Sequence, residues 1–129
     1  MIVYLSVDQV RALYRGLVEE FGGSAGLRDR SGLEAAVARP AMTFDGEDLY
    51  PDLATKAAAL MHSLVLNHPF MDGNKRVGVH AAEFFIERNG HALEADDGEL
   101  ERMTLAVAEG RVAIEALTIW FRQRLRPAE

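Results

Sequence analysis

The sequence predicts an all-α fold, a single compact domain of six helices over residues 1–129. Three observations carry that expectation. Apolar residues recur at three- and four-residue spacing almost throughout, which is the period of a helix with one buried face. Helix-start signals precede most of these stripes, and Gly or Pro follows them. Sustained apolar–polar alternation, the mark of a half-buried strand, is confined to a few residues at Ile2–Leu5.

Ser6 and Gln9 have the spacing of a capping box, with Leu5 and Val10 placed as its hydrophobic staple. Val10, Leu13, Tyr14, Leu17, Val18 and Phe21 then make one inward stripe, stopped by Gly22-Gly23. Ser31 with Glu34 opens a short second helix that must end before Pro40, because the residue ahead of a proline is pushed out of the helical region. Arg39–Tyr50 lacks helical pattern. A loop of that length is often functional, and here it is expected to cover whatever site lies near the end of the next helix.

The third helix starts at Pro51-Asp52 and runs through Leu53, Ala57, Leu60, Met61 and Leu64 to the His68-Pro69 break. A fourth begins near Gly73, turns Val77, Ala81, Phe84 and Phe85 inward, and ends at Asn89-Gly90. Asp96 with Glu99 caps a fifth, which carries Leu100, Met103 and Val107. The sixth follows Gly110 and buries Ile114, Leu117 and Phe121, with Trp120 filling the core beside them.

The chain is long enough to bury a core without covalent staples. It has no cysteine, so disulfides, thiolate nucleophiles and thiolate metal sites are excluded. No apolar run is long enough to span a bilayer and no secretory pattern stands at Met1, so no membrane role is expected and a cytoplasmic protein is the default. The net charge of −6 argues against direct nucleic-acid binding held by phosphate contacts. Charge is nevertheless clustered. Arg122, Arg124 and Arg126 crowd one end and Asp45, Glu47, Asp48 and Asp52 a mid-chain loop, both read as solvated surface, with docking on an acidic partner the alternative for the arginines.

The densest chemistry lies in His68-Pro69-Phe70-Met71-Asp72-Gly73-Asn74-Lys75-Arg76. A helix starting at Gly73-Asn74 leaves its first N–H groups unpaired, and its dipole adds partial positive charge, which makes an anion site. Lys75 and Arg76 fall in that first turn, where the dipole disfavours cations; a bound phosphate resolves the conflict. Asp72 is placed to hold magnesium, which typically takes one or two carboxylates and completes its shell with phosphates and water. His68 closes the preceding helix as a candidate general base for an attacking hydroxyl. Phe70 is read as an inward anchor of the loop. Singly, each residue is better explained as a cap, a turn or a solvated charge; together they supply base, metal ligand, anion hole and counter-cations in workable order. His62 is expected to be structural, His80 packing or surface, and neither joins a zinc-like cluster with His91.

His68 to Arg76 resembles the Fic family signature, His-Pro-Phe-x-(Asp/Glu)-Gly-Asn-(Gly/Lys)-Arg, at every specified position. Gly26-Leu27-Arg28-Asp29, Leu33-Glu34, Ala38-Arg39-Pro40, Glu47-Asp48-Leu49-Tyr50-Pro51 and Arg88-Asn89-Gly90 extend the similarity towards the death-on-curing branch. The resemblance implies an all-helical enzyme. His68 would deprotonate a target hydroxyl, Asp72 would hold Mg2+, and Gly73, Asn74, Lys75 and Arg76 would grip the phosphates of ATP. Most members of the family transfer AMP, but two positions here depart from that pattern. Lys75 replaces a glycine that leaves room for part of the phosphate chain, and the second arginine expected about three residues after Arg76 is replaced by the run Val77-Gly78-Val79-His80.

Both departures match the death-on-curing branch. There the resemblance implies reversed ATP and transfer of its γ-phosphate to a threonine or serine of an elongation factor Tu-like translation factor, the activity of a toxin in a type II toxin–antitoxin system. AMP transfer, or a non-catalytic binding module, is the alternative. Neither Thr43–Asp48, which ends in Asp, nor Thr104–Gly110, which has one spacer residue too many, matches the family's inhibitory helix, (Ser/Thr)-x-x-x-Glu-(Gly/Asn). Restraint is therefore expected from a separate, Phd-like antitoxin that lays a helical segment in a groove.

Overall fold

The computed structural model describes residues 1–128. Among them, six α-helices carry the fold: α1 (Val7–Phe21), α2 (Arg30–Ala38), α3 (Leu53–Asn67), α4 (Asn74–Arg88), α5 (Asp97–Ala108) and α6 (Ile114–Arg124). A 3-10 turn, Arg39–Ala41, follows α2. Two small antiparallel pairs join β1 (Thr43–Phe44) to β2 (Glu47–Asp48), and β3 (His91–Leu93) to β4 (Leu125–Pro127). No described helix is long and apolar enough to cross a membrane.

Helix α3 is the axis of the molecule. Ala54, Ala57, Ala58, Ala59, Leu60, Met61, Leu64 and Val65 are all buried, and a helix apolar on nearly every side must be surrounded. It packs most extensively on α4 and also meets α6, α2 and α5. The alanines permit close approach, and so does Gly78 of α4: a Cβ there would stand 2.6 Å from Val65 Cγ2 and 3.4 Å from the Met61 carbonyl oxygen.

The caps follow the sequence with one correction. Ser6 and Gln9 exchange hydrogen bonds of 3.1 and 2.8 Å in a capping box. Asp52 caps α3 through the Thr55 N–H, and Asp96 caps α5 through the Glu99 N–H. Helix α2, however, is capped by Asp29, whose carboxylate accepts from the Gly32 N–H, and Ser31 lies inside the helix. Two plausible caps stand two residues apart here, and the tertiary pairing of Asp29 described below decides between them.

Other expectations need adjustment. Phe21 is 51% exposed rather than part of the inward stripe, because α1 ends there and the ring stays at the surface. Phe84, Ile114 and Trp120 are only half-buried. Residues 2–5 form no strand; Asn89 instead pairs its side-chain amide with the backbone N–H and C=O of Val3. The β3–β4 pair joins segments too short for a periodic signal and far apart in sequence.

The non-helical stretch after the 3-10 turn is a hairpin. Asp45 (φ 54°) and Gly46 (φ 83°) occupy the two turn positions that need left-handed backbone. Lys56 of α3, 1% exposed, reaches back to Asp48 at 3.0 Å and to the Pro40 carbonyl at 3.3 Å. Arg39 donates to the Tyr50 hydroxyl and to Ser63. Lys56 is twelve residues before His68, roughly 18 Å along the helix axis. No hydrogen bond among the described residues ties the hairpin to His68.

The arginines near the C-terminus are paired: Arg122 with Asp52, Arg124 with Glu99 and Arg126 with Glu94. His62 of α3 lies 3.1 Å from the Val112 carbonyl through Nε2. A carbonyl only accepts, so that nitrogen carries the proton. Burial, aided by the nearby Arg39 charge and opposed by the Val112 bond and Glu115, holds the His62 pKa below its ordinary 6.5.

Two outcomes follow from this packing. Gly78→Ala should lower the unfolding free energy by about 1–2 kcal/mol in urea titrations, since overpacking exceeds the gain in helix propensity. For His62 the unfolded chain takes up the proton first. Its contribution is therefore complete above about pH 6.5 and is lost as pH falls through that value. His62→Gln should flatten the fall in urea midpoint between about pH 7.5 and 5.5; an unchanged slope would assign that fall to other groups.

Candidate active site

The site is built on the loop His68–Gly73 that joins α3 to α4. His68 takes a left-handed conformation (φ 47°, ψ 54°) at the C-cap of α3, which turns the chain out of the helix and leaves the imidazole exposed. Pro69 cannot continue the helix. The freed carbonyls find a partner in Arg28, whose Nε donates to the His68 oxygen at 2.7 Å and Nη2 to the Asn67 oxygen at 3.0 Å.

Residues 26–29 brace the loop from one side. Pro69 O accepts from the N–H groups of Arg28 and Asp29, and Met71 N–H donates to the Gly26 carbonyl, about an antiparallel bridge between Leu27 and Phe70. Phe70 is 2% exposed and stacks on Tyr14 with ring centroids 3.8 Å apart. Asn74 closes the loop on itself: its Oδ1 accepts from the Phe70 N–H and its Nδ2 donates to the Phe70 carbonyl, both at 3.0 Å. The buried Asn74 side chain is thus committed to the backbone of Phe70. What Asn74 can offer an anion is therefore its backbone N–H, not its side chain.

Gly73 (φ 80°, ψ 19°) starts α4 with no side-chain cap. Its N–H donates to Asp72 Oδ1 at 2.9 Å. The N–H groups of Asn74, Lys75 and Arg76 have no hydrogen-bond partner among the described residues, and the first turn contains no acidic residue. A helix start uncapped by any side chain and followed by two cations is arranged for an anion from outside.

Asp72 is exposed at the edge of this turn. Its Oδ2 lies against Gly23, where a Cβ would stand only 2.8 Å away. Among the described residues no three His, Cys, Asp or Glu side chains gather into a metal cage. One open carboxylate beside an anion hole suits Mg2+ brought with a nucleotide, which takes most of its shell from phosphate and water.

Lys75 and Arg76 are both exposed. The Arg76 guanidinium sits 4.3 Å over the Phe21 ring, a contact the inward assignment of Phe21 did not foresee. A small cleft of about 30 Å³ brings together Gly22, Gly23, Asp72, Gly73 and Arg76. A larger groove of about 630 Å³ opens between α4 and α5, lined by Lys75, Arg76, Phe21, Val79 and Leu100. His80 faces that groove 3.8 Å from Glu83, whose carboxyl is pushed above its ordinary value by burial.

Tyr14, Gly23 and Arg28 belong to this site, yet the chemistry of the nine-residue segment did not single them out. Tyr14 is hidden in the apolar stripe of α1 and Gly23 in its stop signal. Arg28 stands in a segment noted for resemblance, without a role that could be read from its neighbours.

Asn74→Ala would leave the buried N–H and carbonyl of Phe70 without partners. It should lower the unfolding free energy by roughly 2–4 kcal/mol, measured by urea denaturation. A loss under about 0.5 kcal/mol would mean that water replaces the amide.

Residues 4–86 match the Fic/DOC family. A protein named Toxin Doc from Mycolicibacterium smegmatis is 53% identical over 76 residues, which cover 59% of this chain and 58% of that protein. Protein kinase doc from Escherichia phage P1 is 27% identical over 126 residues, 98% of each chain. With most of its length matched, including α1, the bracing segment 26–29, α3 and the loop that opens α4, this chain belongs to the Fic/DOC family.

Proposed function

We propose that this chain is the toxin of a type II toxin–antitoxin system. Its activity is that of a protein kinase, moving the γ-phosphate of ATP to a serine or threonine hydroxyl of an elongation factor Tu-like translation factor. The observation that carries the reading is the uncapped start of α4, with unpaired N–H groups at Asn74, Lys75 and Arg76, beside exposed His68 and Asp72. The names of the two relatives support the toxin and kinase parts.

In this mechanism the target hydroxyl gives its proton to the His68 imidazole as its oxygen attacks the γ-phosphorus. The bond from that phosphorus to the β-phosphate bridging oxygen breaks, and ADP leaves. Backbone N–H groups of α4 stabilise the transferring oxygens, with Arg76 and Lys75 balancing the triphosphate charge. Asp72 would hold Mg2+, which neutralises phosphate charge when bound. The fixed αL turn at His68 and the Asn74–Phe70 lock keep base and anion hole in constant relation, the positioning on which phosphoryl transfer mostly depends. Lys75 in place of glycine, and Val79 where a second arginine is expected, favour γ-phosphate over AMP transfer.

The separate antitoxin follows from the same reading. Thr43–Asp48, the nearer of the two approximate matches to an inhibitory helix, folds as a hairpin. A groove of about 600 Å³ between α1 and α4, lined by Leu13, His80, Glu83 and Phe84, offers a helical segment of another chain a place to lie.

With ATP labelled on the γ-phosphate, the translation factor should become labelled. Label transferred from the α-phosphate instead would establish AMP transfer and overturn the kinase reading. His68→Ala should reduce transfer at least about 100-fold and abolish growth arrest while leaving the fold intact.

A further inference from the structure

Tyr14 is placed as no other residue of α1 is. Its ring lies face to face with Phe70, 3.8 Å between centroids and 12° between planes. Its edge lies beside Gly73, where a Cβ would be 3.6 Å from Tyr14 Cε1. Its hydroxyl lies 2.8 Å from the Ser24 carbonyl oxygen and 2.9 Å from the Asp72 carbonyl oxygen. The side chain is buried, and its hydroxyl reaches two backbone segments far apart in sequence.

The chemistry of that contact is specific. A phenol has one proton, and here two carbonyl oxygens converge on it. Without the hydroxyl the two oxygens would face each other with nothing to donate between them, and the segments would separate. One segment, Gly22-Gly23-Ser24, depends on left-handed backbone at Gly22 (φ 82°) and Gly23 (φ 108°). It forms the wall against which Asp72 Oδ2 rests. The other is the Asp72–Gly73 turn, where Asp72 Oδ1 accepts from the Gly73 N–H. The carboxylate and its wall are therefore joined through one hydroxyl group.

We infer that Tyr14 is a positioning residue that sets the Asp72 carboxylate and the first N–H groups of α4 for a magnesium-bound phosphate, by clamping the Asp72–Gly73 turn to the Gly22–Ser24 wall. The inference rests on the proposed nucleotide chemistry for its functional consequence, but the clamp itself is a property of the ligand-free chain. Stacking on Phe70 holds the ring and the hydroxyl sets the turn, so the two contributions separate in one substitution.

Tyr14→Phe keeps the stack and removes the clamp. The Mg2+ concentration for half-maximal transfer from γ-labelled ATP should rise roughly three- to tenfold. The rate at saturating Mg2+ and ATP should stay within about threefold, unlike the loss expected for His68→Ala. In the ligand-free protein, amide resonances of Ser24, Asp72 and Gly73 should shift or broaden while those of α3 and α6 stay in place. An unchanged Mg2+ dependence would overturn the inference, as would unmoved amides at these three residues. General loss of structure would also overturn it, because the hydroxyl would then hold up the whole fold. If the wild-type chain transferred no label, the functional proposal would fail on its own, and the amide shifts would still decide whether the clamp exists.

Discussion

The structure depends on how α3 is joined to α4. These are the two most closely packed helices, and six residues connect them. Such a connection must satisfy the last carbonyls of one helix while leaving the first N–H groups of the next free. Arg28 does the first, bonding the Asn67 and His68 oxygens. Asn74 permits the second: its side chain folds back onto Phe70 rather than forward onto its own helix start. The open end of α4 is held by the bonds that brace the loop beneath it.

That division explains why one short segment combines buried and exposed residues so sharply. Pro69, Phe70 and Asn74 are buried and hold the loop, while His68, Asp72, Lys75 and Arg76 are exposed around it. The buried members bond to backbone or stack on Tyr14. The exposed side chains are left for chemistry, with Arg76 resting on Phe21. Unpaired donors and two adjacent cations at a helix start work against the helix dipole, and the surrounding packing, not local propensity, maintains them.

Much of this was legible from local pattern. The helices of α1, α3 and α4 follow apolar spacing, and Ser6, Asp52 and Asp96 cap where their side chains can reach an N–H three residues on. The uncapped helix start at Gly73 could be read because helix starts, glycine and cations have meaning at fixed spacing. The misreadings share a cause. Ser31 was a reasonable cap by spacing, but Asp29 is held by Pro69, forty residues away. Phe21 fitted the stripe but outran the surface it would have packed on. The β3–β4 pair joins residues more than thirty apart, and three-residue strands carry no period.

By itself, then, the sequence determined the helical class, most helix starts and the segment that holds the candidate site, because each depends on residues within a turn or two of one another. Only the tertiary structure decided which of those residues act outward and which inward. Asn74 became a lock on Phe70, Phe21 a platform for Arg76, and Tyr14 a clamp between Ser24 and Asp72. Each of these roles is a contact between groups brought together by packing, and no spacing along the chain encodes such a contact.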